Sequence, residues 1–176
     1  SNKIWNSYRL INGWTVGEHI QPEYSKEITY WFENQFNRSL EMIENSYSQY
    51  RISEALMTTY KLFWDDFCSC YLEVIKPKFG DPIDQKTYNY TINFLSKLMQ
   101  ILHPFMPFIT EEIWRKTSKN EKDIIVSEWP KNIKYDNEVI EKFSIANEVV
   151  KSIRKFRKEK EIPNKSALKL IIKSNN

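Results

Sequence analysis

The chain has little of what several large protein classes require. Three glycines in 176 residues are too few for the tight turns of a sheet-rich fold, so helices are expected. No run approaches the roughly 20 apolar residues of a membrane span. Nor does a basic-then-apolar leader open the chain, so a cytoplasmic protein without membrane association is expected. The two cysteines, Cys68 and Cys70, point about 200° apart on a helix and cannot pair with each other. They read as two thiols, at least one in a core, in a reducing compartment. Only His19 and His103 could join them as zinc ligands, and no metal is expected. A Gly-rich phosphate loop, a His–Glu metal pair and a nucleophile with an evident base are all missing, so no catalytic residue and no cofactor is assigned. The adjacent carboxylates Asp65–Asp66 and Glu111–Glu112 diverge by about 100° and read as solvated or capping charges. His103, before a proline, reads as packed or capping a helix end.

What is present is a core. The chain is 41% hydrophobic and 15% aromatic, enough for one domain or one domain and part of another. Ile4, Trp5, Tyr8 and Ile11 place a first helix over Asn2–Asn12, ending at Gly13. After a loop through Pro22, Ser25 is the expected N-cap of a long helix. Its stripe is Ile28, Phe32, Phe36, Leu40, Ile43 and Tyr47. A third stripe, Ile52, Leu56, Tyr60, Phe63, Phe67, Tyr71 and Val74, ends at Pro77. Residues 80–84 form a turn, and a fourth helix buries Tyr88, Ile92, Leu95, Met99 and Leu102 before Pro104. Thr110 is placed to cap a short helix through Trp114, and Ile124–Val126 reads as extended. Trp129–Pro130 anchors that loop. Asp136 is expected to cap a last helix with the stripe Val139, Phe143, Ala146, Val150, Ile153 and Phe156. Leu168–Ile172 reads as a strand without a partner, so the chain is expected to be cut from a longer one at both ends. The expected fold is all-α, an antiparallel helical bundle with a short extended C-terminal tail. The expected divisions are a bundle over 1–117, a loop and basic helix over 118–160, and the start of an α/β piece over 161–176.

Charge points to a partner. Residues 1–150 hold 17 Lys/Arg against 21 Asp/Glu, whereas residues 151–176 hold 9 against 2. Lys151, Arg154, Lys155, Arg157, Lys158 and Lys160 fall within ten residues, a pattern that attracts phosphates without regard to sequence. A solvated basic face is the plainer reading of the same run. Recognition of an unpaired RNA loop needs amides, guanidinium groups and rings for base edges and faces. The first helix and its exit carry Lys3, Asn6, Arg9, Asn12 and Trp14. Asn2, Asn6 and Arg9 follow one side by three- and four-residue steps. A tryptophan so placed is more often core than platform. The alternative to RNA is a helical scaffold that binds protein, against which the charge asymmetry speaks.

Several stretches carry a family resemblance. Asn2-Lys3-Ile4-Trp5-Asn6 with Arg9 resembles the helix opening the anticodon-binding bundle of the class I tRNA synthetases for valine, isoleucine and leucine. Phe63-Trp64-Asp65-Asp66-Phe67-Cys68, Tyr71-Leu72-Glu73 and Lys76-Pro77 are most similar to the valyl branch, with isoleucyl and leucyl relatives as alternatives. The stretch from His103 to Trp114, with Pro104 and Pro107, is similar to a marker of the same family. Its prolines and aromatics are expected to build a packed corner. The resemblance implies a parent ligase that activates valine with ATP and Mg and esterifies it to tRNA. The signatures of its ATP site do not occur here. This chain is therefore expected to be non-catalytic alone, to bind the tRNA for valine as a monomer, and to work with catalytic and editing domains of the same parent. On that resemblance Asn2, Lys3, Asn6, Arg9 and Trp14 receive the anticodon, while Lys151, Arg154, Lys155 and Lys158 hold the backbone.

Overall fold

A computed structural model describes residues 2–117, 122–163, 166–167, 169 and 171. The architecture is a helical bundle, as composition and periodicity predict. Helix α1 (Asn2–Asn12) leads through a two-residue strand β1 (Val16–Gly17) into α2 (Glu23–Ser48). Helix α3 (Ile52–Lys61) continues as a π-helix over Leu62–Tyr71 and one further turn, α4 (Leu72–Ile75). Strand β2 (Ile83–Asp84) pairs parallel with β1 and opens α5 (Gln85–Leu102). Helix α6 (Pro107–Thr117), a 3-10 turn (Ile124–Val126) and α7 (Asn137–Glu159) complete the order. Two compact units divide the chain, residues 1–137 and 138–176.

The core of the first unit is aromatic. Phe32 of α2 lies 5.4 Å from Phe67, 5.0 Å from Tyr71 and 4.9 Å from Phe94, centroid to centroid. Each of these rings withdraws a large apolar area from water, and tilted or edge contacts add to that gain. The Tyr71 hydroxyl lies 3.0 Å from Thr91 Oγ1, which itself donates to the Thr87 carbonyl at 2.7 Å. Since the threonine proton is engaged there, Tyr71 is the donor. The buried stripe of α2, Ile28, Phe32, Phe36, Leu40 and Ile43, is as the four-residue spacing predicts.

Several local expectations are corrected. Helix α2 begins at Glu23 after Pro22, and Ser25 is buried inside its first turns instead of capping it. Proline fixes the entering φ, and its carbonyl accepts from the Ser25 and Lys26 N–H groups at 3.0 and 3.1 Å. In α3 the buried residues are Ala55 and Thr59, while Ile52, Leu56, Tyr60 and Val74 are exposed. Within the π-helix the predicted Phe63, Phe67 and Tyr71 are buried. Steps of four back from Phe63 reach Thr59 and Ala55, so the buried line is continuous; the predicted stripe left it at the three-residue step to Tyr60 and followed larger apolar side chains onto an exposed flank. Helix α6 starts at Pro107 and runs to Thr117, so Thr110 lies inside it and bonds to His103 Nδ1 at 2.8 Å. The proline corner is not packed throughout: Phe108 is 91% exposed, whereas Thr110, Ile113 and Trp114 are buried. Ile124–Val126 is a 3-10 turn, its first N–H held by Glu111 at 3.1 Å. Trp129 does anchor its loop, with its ring 6.1 Å from Tyr47.

The segment before α7 is fastened to α2 by polar side chains. Asn34 Oδ1 accepts from the Asp136 N–H at 2.7 Å and Asn37 Oδ1 from Ile133 at 3.3 Å, while Tyr135 donates to Glu41 at 2.5 Å. In the second unit, Ile140 is the buried member of α7. Of the predicted stripe, Val139, Phe143 and Ile153 are half-buried, and Ala146, Val150 and Phe156 are exposed. The tail expected as a strand at 168–172 lies mostly outside the described residues.

Candidate nucleic-acid interface

Helix α1 is held to the bundle by one side and leaves the other open. Ile4, Ser7 and Ile11 are buried, and their spacing turns Asn2, Asn6 and Arg9 outward. Asn2, Asn6 and Arg9 are exposed, and none has a side-chain hydrogen bond or ion pair to protein among the described residues. A row of two amides and a guanidinium can pair with base edges, and the guanidinium can also stack on a base.

Lys3 is differently engaged. Its ammonium donates to the Trp64 carbonyl at 3.2 Å and lies 3.3 Å from Ser69 Oγ. Ser69 Oγ itself donates to the same carbonyl at 2.8 Å. Lys3 therefore ties α1 to the π-helix. Cys68 of that helix is half-buried beside α1, where burial pushes its thiol up to about 12 from 9.0. Trp14 is half-buried, neither sealed nor free, with its backbone N–H donating to the Ile11 carbonyl at 3.2 Å.

The basic residues stand apart in sequence and in unit. Lys151, Arg154, Lys155 and Lys158 are exposed on α7, with Lys155 3.9 Å from Glu159. Arg157 is turned to structure: its guanidinium donates to the Pro163 and Ser166 carbonyls, each at 2.8 Å. The structure thus brings Asn2, Asn6 and Arg9 onto one face and groups the α7 cations separately in the second unit.

The carboxylates read as solvated or capping divide: Asp66 is half-buried, whereas Asp65 and Glu112 are exposed. Asp66 accepts from Gln35 Nε2 at 2.8 Å, and its burial raises its pKa. Glu111 bonds to Arg115 at 2.8 Å and Glu112 to Lys116 at 3.1 Å. No cluster of His, Cys, Asp and Glu fit for a metal occurs among the described residues. No helix among them is long and apolar enough to cross a membrane. Leu10, 41% exposed and four residues after Asn6, adds an apolar side chain beside the amide row of α1.

An all-helical bundle with an exposed row of two amides and a guanidinium on its first helix is an arrangement that can meet unpaired RNA bases. The chain matches the family described as the anticodon-binding domain of tRNA ligase over residues 29–172, and it belongs to that family. It is 46% identical to the valine–tRNA ligase of Christiangramia forsetii over 178 residues, 99% of this chain and 20% of that protein. The valine–tRNA ligase of Parabacteroides distasonis is 45% identical over 175 residues, again 20% of its length. That of Thermotoga maritima is 30% identical over 176 residues, 98% of this chain and 20% of that protein. The chain spans about a fifth of the length of the curated relatives it matches. Helix α1 precedes the family match and lies within the stretch shared with the C. forsetii protein.

Proposed function

We propose that this chain is the tRNA-reading part of a valine–tRNA ligase, a longer enzyme that activates valine with ATP and Mg and esterifies it to its tRNA. The parent's catalytic and editing domains carry the chemistry; this part is non-catalytic and supplies discrimination. The observation that supports it best is the free α1 face, with Asn6 and Arg9 exposed on a bundle of the anticodon-binding family. Unstacked anticodon bases meet Asn2, Asn6 and Arg9 there. Lys3 contributes by fixing α1 to the π-helix, and Trp14 by shaping the exit of α1. Lys151, Arg154, Lys155 and Lys158 of α7 attract the RNA backbone, a contribution that salt screens.

The test is fluorescence anisotropy with labelled hairpins carrying the anticodon loops of valine tRNA and of unrelated tRNAs. A good paired contact to a base edge contributes roughly 1–3 kcal/mol. Arg9→Ala is therefore expected to weaken binding of the valine hairpin by roughly 5- to 150-fold and that of the unrelated hairpins much less. A variant that binds every hairpin as the parent does removes Arg9 from the interface.

A further inference from the structure

A second group of residues lies at the end of the bundle that α1 runs into. The loop leaving α1 and the turn entering α5 are joined by the β1–β2 pair and by the Ile83 N–H donating to Thr15 at 2.8 Å. Gly17 permits this approach: a Cβ there would stand 3.0 Å from His19 Nδ1 and 3.1 Å from Pro82. Between the loop and the turn lies a pocket of about 670 Å³ whose walls include His19, Tyr24, Lys76, Lys78, Asp81 and Pro82. That volume is in the range of small-molecule sites.

Phe79 follows Lys78 in the turn whose first and last residues, Lys78 and Asp81, belong to that wall. The Asp81 N–H donates to the Lys78 carbonyl at 2.9 Å and Gly80 has φ +88°, the pattern of a type II turn with glycine third. That turn holds Phe79 wholly in water, at 108% relative exposure. An exposed ring at the tip of a glycine turn gains nothing for the fold. It does offer a π-face.

The charges favour a base over a free phosphate. Lys76 and Lys78 are matched by Asp81 and Asp84 in the pocket wall, so the wall has no net charge with His19 neutral. Asp84 is occupied as the cap of α5, accepting from the Thr87 N–H at 2.8 Å, and Lys76 pairs with Glu73 at 2.9 Å. Lys78 and Asp81 have no ion-pair partner among the described residues. A carboxylate beside an aromatic face suits the exocyclic amine of an unpaired base. We propose that this pocket is a nucleobase subsite: Phe79 stacks an unpaired base of the bound RNA, Asp81 accepts from its exocyclic amine, and Lys78 meets the adjoining phosphate. This rests on the reading of α1 as RNA-binding and extends that surface past the end of α1.

The experiment uses the whole chain, the same valine anticodon hairpin, and four proteins: the parent, Arg9→Ala, Phe79→Ala and Lys78→Ala. Phe79 is fully exposed, so Phe79→Ala should melt with the parent. It is expected to bind the hairpin roughly 5- to 150-fold more weakly, with an unchanged slope of affinity against salt, since a ring carries no charge. Lys78→Ala is expected to lower that slope by about one. Parental affinity in Phe79→Ala beside weakened Arg9→Ala overturns the subsite and leaves the α1 reading standing; a seat for another protein segment would give that result. A parent chain that does not bind the hairpin overturns both.

Discussion

Asparagine in the middle of a helix is a poor choice locally, because its side chain competes for backbone partners. In α2, Asn34 and Asn37 each donate to a carbonyl four residues back at 2.7 Å, and each turns its oxygen to the segment before α7. Both are buried, whereas Tyr30, Ile133 and Asp136 on the other side of these bonds are exposed residues. Asn34→Ala would remove this acceptor from the Asp136 N–H, a loss of roughly 0.5–1.5 kcal/mol because water reaches the exposed Asp136. Urea unfolding should show a drop of that size for Asn34→Ala and a smaller one for Asn37→Ala, whose 3.3 Å bond is longer. Equal midpoints for parent and Asn34→Ala would mean that the segment is not held by this bond. These two residues could have been suspected from the sequence as misfits in an apolar helix. Their partners 96 and 102 residues away could not, because nothing local encodes such a pairing.

Helix ends in this protein use a residue that costs strain. Helix α2 closes with Arg51 N–H bonded to the Ser46 carbonyl at 2.8 Å and Tyr50 N–H to Tyr47 at 3.0 Å, with Tyr50 at φ +58°. This is the double bond of a Schellman ending, in which the left-handed position favours glycine. A side chain there costs roughly 1–2 kcal/mol. Tyr50 is 89% exposed, so little packing is lost with its ring. Tyr50→Gly is expected to raise the stability of the bundle by about 1 kcal/mol, part of the relief being offset by the freer unfolded chain. A lower melting temperature for Tyr50→Gly would show that the ring makes contacts that outweigh the strain. At this scale the sequence was legible wherever the helix is regular. Phe32, Phe36, Leu40 and Ile43 step along α2 as a standard turn requires, and Pro77 and Pro104 bound their helices. The face of α3 was misread because its buried positions hold a small and a polar residue, Ala55 and Thr59, beside the larger apolar Leu56 and Tyr60. The α1 face was legible in residue type and spacing, whereas the pocket walled by His19, Lys78 and Asp81 arises from two loops far apart in the chain.

For the molecule as a whole, the buried ionisable groups predict where stability falls on the alkaline side. The Cys68 thiol, between α1 and the π-helix, is pushed up from 9.0 to about 12 by burial. The Tyr71 hydroxyl, in the aromatic core, is pushed up from 10.0 to about 12, also by burial. Burial raises Tyr47 as well. In the unfolded chain Cys68 begins to release its proton near pH 9 and Tyr71 near pH 10, while the folded chain retains both until about pH 12. Between those limits the unfolded state binds fewer protons than the native state, so stability decreases as pH rises. Below pH 9 both states are protonated and neither group contributes a slope. Urea midpoints measured from pH 7 to pH 11 should therefore be flat with respect to these groups, turn downward near pH 9, and steepen past pH 10. Cys68→Ala should delay the onset toward pH 10. Tyr71→Phe should start lower, because the donor to Thr91 is gone, and should fall less steeply above pH 10. A Tyr71→Phe curve parallel to the parent through that range would mean that the native bundle lets Tyr71 ionise as readily as the unfolded chain does. A hydroxyl enclosed by Phe32, Phe67, Phe94 and Thr91 has no such freedom while the helices stay packed.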